Sequence, residues 1–541
     1  MPSPATLQVL DGHNSIGGTK ILLATDEHRV LLDFGTNYRR LSQYYADFLR
    51  PRAGRGILDF LVHGLLPPLT GAYRRDLFPP DEYPTGDVVG GSPAPTAVLL
   101  THAHLDHCGA ISFLDPSIPV YSSPTTLALL RSWQETGKPD LTNEVVYCGG
   151  RTATAAGTLR ASESKDKRQR AWRLLAPPSA GLLDAVMRPP TAKGELEGPA
   201  PADGRTDPPL RDLHVESLPV DHSLMGAAGF LLDVDGARVA YTGDVRFHGE
   251  RRAETEGFLH ALERRSPDLL LVEGTRLERP GASERANLTT EPEVRRNALA
   301  ALGAFAGKFA VADFGPRNVE RLRLFRDIAQ ELGRQLVVTD RDAHLLTTLA
   351  TAEPNIPVDF GPGGLRIWTE PSAARGAPWQ RRIDEAHSDA RIDRTEIERS
   401  PGRWLLCFSY NDVNDLVDLR RATRGGAWLY SSSEAHGEEQ EFDFQRLQHW
   451  IEWAGMHVLG FTVDPASGRP SFPPGFHASG HASQAELVEL VRRANPRAIV
   501  PVHSEVPEQY RALLGPEGVR VVLPDPAHPL DVARLGAGAN A

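Results

Sequence analysis

Thr101-His102-Ala103-His104-Leu105-Asp106-His107 places four metal-ligand side chains within six positions, directly after the apolar run Ala97 to Leu100. Such a run ending in polar residues reads as a strand whose C-terminal loop aims side chains into a site. In an extended segment, residues two apart point to one side, so His102 and His104 reach the same ion. Asp106 and His107 come at the next turn and face a second ion. Imidazole nitrogen and carboxylate oxygen are the donors a hydrolytic zinc site uses, with one position left for water. The plain alternative, a polar loop that caps the following helix, is weakened by what lies downstream. His222 in Pro219-Val220-Asp221-His222-Ser223 would complete the His102/His104 ion, Asp244 in Tyr241-Thr242-Gly243-Asp244 would bridge both ions, and His503 would close the second. Taken singly, a histidine after a strand is more often a hydrogen-bonded surface or core residue. Their joint appearance in this order points to a metal hydrolase.

Bulk properties bound the answer. With 541 residues, 40% of them hydrophobic, the chain buries a sizeable core in two or three structural units. The opening Met1-Pro2-Ser3-Pro4-Ala5-Thr6 has no basic region followed by an apolar run, and no stretch approaches the roughly 20 apolar residues of a membrane span. Cys108, Cys148 and Cys407 show no paired spacing, so neither a disulfide framework nor a zinc ribbon is supported, and a cytoplasmic location is expected. The net charge of −11 excludes a uniformly basic surface that coats nucleic acid, though not a local basic channel. Arginine-rich stretches at 74–75, 165–173, 295–296, 317–326 and 492–493 read mostly as solvated faces.

Strands are expected at Lys20 to Ala24, Val30 to Phe34, Phe230 to Val234, Val239 to Tyr241, Leu269 to Val272 and Ala498 to Val502, with a helix over Gln484 to Ala494. Residues 38–95 and 188–209 read as surface elaborations, the second as a mobile loop. Beyond about Glu291 the pattern changes. A strand at Lys308 to Ala312, apolar residues at helical spacing from Val319 to Leu332, Gly333 as a stop and a strand at Gln335 to Thr339 make a βαβ unit. Trp404 to Phe408, Ala427 to Tyr430 and a helix from Phe442 to Ala454 continue the style. No GxGxxG fingerprint supports dinucleotide binding. Trp404, Tyr410 and Tyr430 are left unassigned, since packing beside strands is the default for aromatic residues.

His102-x-His104-x-Asp106-His107 followed by His222, Asp244 and His503 resembles the signature of the metallo-β-lactamase superfamily. Glu273 in Leu270-Leu271-Val272-Glu273-Gly274, the segment His477-Ala478-Ser479-Gly480-His481 and Pro501-Val502-His503-Ser504-Glu505 extend the likeness to its β-CASP nucleases, above all to the ribonuclease J group. The resemblance implies an α/β fold, the metallo-β-lactamase αββα sandwich with an inserted Rossmann-like β-CASP domain. Residues 1–288 would form the first part of the catalytic domain, 289–472 the insert and 473–541 the return. It also implies two divalent ions, zinc foremost with manganese the alternative, held by His102, His104, Asp106, His107, His222, Asp244 and His503. The implied partner is single-stranded RNA, with no membrane involved. Asp106 would orient a hydroxide bridging the ions, which attacks phosphorus. His481, its ring fixed by Glu273, would protonate the leaving oxygen or hold the scissile phosphate. His477, Ser479 and Gly480 would hold a substrate phosphate, exposed amides around a glycine suiting an anion. Asp33 in Leu31-Leu32-Asp33-Phe34 reads as a buried carboxylate steadying the metal loop.

Retention of His503 favours RNA over DNA on this likeness, because the DNA-processing branch typically lacks that histidine. Ser504 departs from the glycine usual in the family. The 38 residues after His503 are too few for the separate C-terminal domain used by many ribonuclease J proteins in dimerisation, so oligomeric state stays open. Three other readings compete: a DNA nuclease on the same scaffold, a small-molecule esterase, lactonase or thioesterase, and a binding subunit without activity. The insert and His481 count against the small-molecule reading, and the complete ligand set counts against an inactive subunit.

Overall fold

The computed structural model describes residues 4–46, 48–79, 94–162, 167–192, 194–278, 289–371, 376–432 and 444–536. Two sheets lie face to face. The first has eight strands in the order Ala202–Asp203, Trp172–Leu174, Val120–Ser122, Ala97–Leu99, Arg29–Phe34, Lys20–Ala24, Thr6–Asp11 and Leu530–Asp531. The second has six, in the order Glu216–Pro219, Ala228–Val234, Ala237–Tyr241, Leu269–Glu273, Ala498–Val502 and Arg520–Val521. Leu7, Ile21, Leu32 and Leu99 from one sheet and Phe230, Leu232, Leu269 and Val500 from the other form the core between them. Alternation along Thr6–Asp11, with every second residue buried, is what a strand covered on one face requires. Helices Arg252–Arg265 and Gln484–Ala494 cover the outer face of the six-stranded sheet through Phe258, Leu262, Leu487 and Val491, and Pro124–Thr136 lies over the eight-stranded one. This is the αββα sandwich.

Strand Ala498–Val502 pairs in parallel with Leu269–Glu273, with Val502 opposite Glu273. Everything between Gly274 and Arg497 therefore leaves one strand and returns on its neighbour. Within that excursion lies a seven-stranded parallel sheet, ordered Arg391–Ile392, Arg366–Trp368, Gln335–Val338, Trp404–Cys407, Ala310–Asp313, Ala427–Tyr430 and His457–Leu459. Its helix Asp340–Leu349 packs on Pro124–Thr136 of the sandwich. We refer to this unit as the cap.

Several sequence expectations need correction. Residues 38–79 are no surface elaboration: Ile57, Phe60, Leu66, Tyr73 and Leu77 are buried in the same cluster as Leu31 and Val98. Residues 80–93 lie outside the described ones. The stretch 188–209 is anchored as well, because Leu196 is buried and Ala202–Asp203 adds an edge strand beside Trp172–Leu174. Pro and Gly are abundant there because an edge strand and its turns tolerate them, not because the segment lacks a place. Arg74, Arg170 and Arg321, drawn from three of the arginine-rich stretches, are interior. Arg170 donates to the carbonyls of Leu114, Asp115 and Val145, and Arg74 pairs with Asp76 and Glu144. Trp404 and Tyr430 are buried by packing, at 3% exposure each. The helix expected from Phe442 is described from Phe444 to Trp453, and positions 442–443 lie outside the described residues.

Candidate metal centre

Five loops at the C-terminal ends of sandwich strands converge. His102 and His104 follow Ala97–Leu99, His222 follows Glu216–Pro219, Asp244 follows Ala237–Tyr241 and His503 follows Ala498–Val502, while Glu273 ends its own strand. The short helix Leu105–Cys108 carries Asp106 and His107. Its backbone docks tightly: Thr19 N donates to Asp106 O and Thr36 N to Leu105 O, at 3.1 and 2.9 Å. Gly35 permits that approach, since a Cβ there would lie 1.6 Å from Asp106 O.

Nε2 of His102 and Nε2 of His222 each lie 3.0 Å from Nδ1 of His104, and Asp244 Oδ2 is 3.5 Å and 3.8 Å from those two Nε2 atoms. On the other side, Asp106 Oδ2 is 2.9 Å from His503 Nε2 and 3.8 Å from His107 Nε2. Asp244 Oδ2 joins the two groups, standing 3.2 Å from His107 Nε2 and 4.0 Å from His503 Nε2. All seven side chains are buried.

Hydrogen-bond partners at the outer nitrogens orient four of the rings. His107 Nδ1–H donates to Asp33 Oδ2 at 2.8 Å, and His222 Nδ1–H donates to the Gly480 carbonyl at 2.6 Å. Thr101 Oγ1 lies 3.0 Å from His102 Nδ1, and Thr275 Oγ1 lies 2.9 Å from His503 Nδ1. Lone pairs on Nε2 are thereby directed inward. Among the described residues, His107 Nε2, Asp106 Oδ1 and Asp244 Oδ1 are buried without a hydrogen-bond partner. Converging acceptors left unpaired away from water are costly unless a cation satisfies them. The donor set of nitrogen and oxygen atoms fits a divalent metal.

Electrostatics agree. Burial pushes His102 and His222 well below the usual imidazole range and His104 down to about 3, so these rings are neutral at neutral pH, the form able to ligate a metal. Burial opposes the charged form of His107 too, yet Asp244, Asp106 and Asp33 outweigh it and raise its pKa. The carboxylates therefore draw positive charge into the site, which a bound cation would supply in place of protons.

Asp33 sits at φ 57° and His503 at φ 52°, the left-handed region that non-glycine residues seldom occupy. The turn at Asp33 lets one fully buried carboxylate accept from Thr101 N at 2.8 Å, Tyr241 OH at 2.7 Å and His107 at once. An Asp33→Asn variant keeps the shape but loses the anionic acceptor. We expect metal affinity to fall about 10- to 100-fold, read by chelator competition, while the fold is retained in circular dichroism. Equal metal retention would remove Asp33 from this role.

Glu273 Oε1 accepts from Val245 N at 2.7 Å, and its Oε2 lies 3.0 Å from His481 Nδ1. His481 Nδ1 is also 4.0 Å from Asp244 Oδ2, so this pair flanks the metal cluster directly. Of the residues expected to hold a phosphate, Ser479 and Gly480 lie beside it. Gly480 already uses its carbonyl on His222, Ser479 Oγ accepts from His481 N, and the His477 ring donates to Gly460 O at 2.6 Å. Thr101, Tyr241 and Thr275 escaped the sequence reading, although each lies within three residues of a residue it singled out. The partnership of His222 with Gly480 joins positions 258 residues apart and leaves no local signal.

Residues 476–524 match the family model of a zinc-dependent metallo-hydrolase RNA specificity domain. The chain is 24% identical over 414 residues to ribonuclease J of Mycolicibacterium smegmatis, covering 75% of this chain and 58% of that protein. With ribonuclease J of Pyrococcus abyssi it shares 21% over 420 residues, covering 76% of this chain and 74% of the relative. The chain is similar to the ribonuclease J-like, β-CASP proteins of the metallo-β-lactamase superfamily. A crystal structure of a protein of unknown function from Enterococcus faecalis V583 has the same fold, with a TM-score of 0.63 at 20% identity, covering 98% of this chain and 100% of that one. The cap occupies the stretch in which the sequence resemblance implied an inserted domain. Alignment with the M. smegmatis relative spans less than two thirds of that protein's length. No helix among the described residues is long and apolar enough to cross a membrane.

Proposed function

We propose that this protein is a metal-dependent phosphodiesterase that cleaves single-stranded RNA, acting as a 5′→3′ exonuclease, an endonuclease or both. The observation carrying the reading is the Glu273–His481 pair set against Asp244, a proton-transfer group beside a metal cluster. The RNA specificity match over that segment favours RNA as the substrate, and retention of His503 supports it over DNA. The domain division of 1–288, 289–472 and 473–541 is part of the proposal.

Two ions would be held, one by His102, His104 and His222, the other by Asp106, His107 and His503, with Asp244 shared; zinc is the first choice and manganese the alternative. Bound there, divalent cations acidify water and offset the charge that builds on a phosphorane-like transition state. Asp106 orients the attacking water through its unpartnered Oδ1. His481, with Nδ1–H held by Glu273, delivers a proton from Nε2 to the leaving oxygen as the phosphorus–oxygen bond breaks. Ser479, Gly480 and His477 form the turn that receives a substrate phosphate.

The test is to incubate metal-replete protein with internally labelled RNA bearing a 5′ monophosphate or triphosphate, and with DNA of the same sequence. Mononucleotides released from the monophosphate alone mean an exonuclease with a terminal-phosphate pocket. Intermediate fragments from both RNAs mean an endonuclease. Cleavage of DNA alone, or of neither polymer, rejects the proposal.

A further inference from the structure

We propose that the N-terminal end of the cap helix Val319–Glu331, with the residues leading into it, is a positioning element for the metal loops, setting their geometry through Arg317 and Glu320. The inference rests on the metal-dependent reading above and goes beyond it, because neither residue belongs to the metal cluster.

Arg317, just before this helix, donates from Nη1 to the carbonyl of Ala103 at 2.8 Å. Ala103 is the residue between His102 and His104, so a cap guanidinium grips the peptide that spaces two candidate ligands. One turn later Glu320 bonds Arg246, two residues past Asp244, and accepts from Glu250 N at 2.7 Å. Arg246 in turn reaches Asp221, the neighbour of His222, at 3.0 Å. The Arg246 loop closes around this contact, since a Cβ on Gly249 would fall 2.2 Å from the guanidinium. Next along the helix, Arg321 pairs with Glu291 at 2.9 Å and donates to Ser431, whose hydroxyl donates to Phe476 O at 2.6 Å. Phe476 leads into the segment whose Gly480 carbonyl orients His222.

Three contacts, from Arg317 just before the helix and from Glu320 and Arg321 in its first turn, thus end at the His102/His104 loop, at the loops of His222 and Asp244, and at the Gly480 segment. Two guanidiniums, Arg246 and Arg321, face three carboxylates, Asp221, Glu291 and Glu320, all buried. Buried ion clusters contribute little net stability over apolar packing but tolerate few arrangements, because a displaced member strands a charge. Such a cluster suits the seating of a cap in one register and the transfer of that register to the loops beneath it.

The experiment compares zinc-loaded wild type, Arg317→Met, Arg317→Lys, Glu320→Gln and Arg326→Met. Arg326 lies further along the same helix and bonds Asp359 at the surface, so it serves as a control. Bound zinc per chain is followed against rising EDTA, with the melting temperature of the zinc-free protein and separate kcat and KM values on RNA. Arg317→Met and Glu320→Gln should lose zinc at about tenfold lower EDTA and lose kcat, with KM within about twofold. Arg317→Lys, which still offers a donor to Ala103 O, should recover most of the loss, and Arg326→Met should match wild type. Zinc retention equal to wild type in both variants overturns the inference while leaving the metal reading intact. So does a lower melting temperature of the zinc-free protein without earlier zinc loss. Should Glu320→Gln fail to fold, the Arg317 pair decides alone. A wild type that holds no divalent ion overturns both readings.

Discussion

Asp244→Asn should lower kcat/KM on RNA by about 10³-fold or more, equivalent to about 4 kcal/mol of lost transition-state stabilisation. The size follows from position. Asp244 Oδ2 lies within 4.0 Å of nitrogens from His102, His107, His222 and His503, so it is the only side chain facing both histidine groups in this way among the described residues. Asparagine keeps the volume but cannot present a second anionic oxygen, so both ions would lose their shared counter-charge. The variant should retain fewer ions per chain after dialysis, measured by elemental analysis, with its far-ultraviolet spectrum unchanged. Wild-type metal content and activity together would refute the bridging role.

His481→Ala is expected to separate chemistry from metal binding. The ring lies at the edge of the cluster, with Nδ1 on Glu273 at 3.0 Å and Asp244 at 4.0 Å. Loss of a positioned proton donor costs about 10²- to 10⁴-fold in rate, and the effect should fall on kcat in single-turnover measurements while metal content stays at the wild-type level. Glu273→Gln should give a smaller loss, because the amide still contacts the ring but no longer stabilises its protonated form. If His481→Ala instead sheds an ion, His481 is a ligand, a role that its proximity to Asp244 and Glu273 also permits.

The side chains that converge at the candidate metal centre were legible because their chemistry is local. A strand delivers His102, His104, Asp106 and His107 within six residues, and Asp244 and His503 each stand just past an apolar run. Gln484–Ala494, Ala498–Val502 and Ala427–Tyr430 fall where hydrophobic periodicity places them. Composition misled where it stood in for packing. Residues 38–79 look irregular along the chain, yet Phe60, Leu66 and Leu77 fill space against strands that the sequence keeps far away. Arginine misled for a similar reason. Arg74, Arg170 and Arg321 look like surface charge until carbonyls and carboxylates from distant loops surround them.

What the sequence by itself determined is the set of histidines and aspartates that converge, most of the strand endings that carry them and the change of pattern that marks the cap. These depend on spacing and periodicity, which are properties of neighbours along the chain. Only the tertiary structure decided which nitrogen of each imidazole faces inward, because Asp33, Gly480 and Thr275 come from other loops. It alone placed Arg317 on Ala103 and Arg246 between Asp221 and Glu320. A buried charge is satisfied by whatever the fold brings to it, and that partner has no fixed distance in sequence.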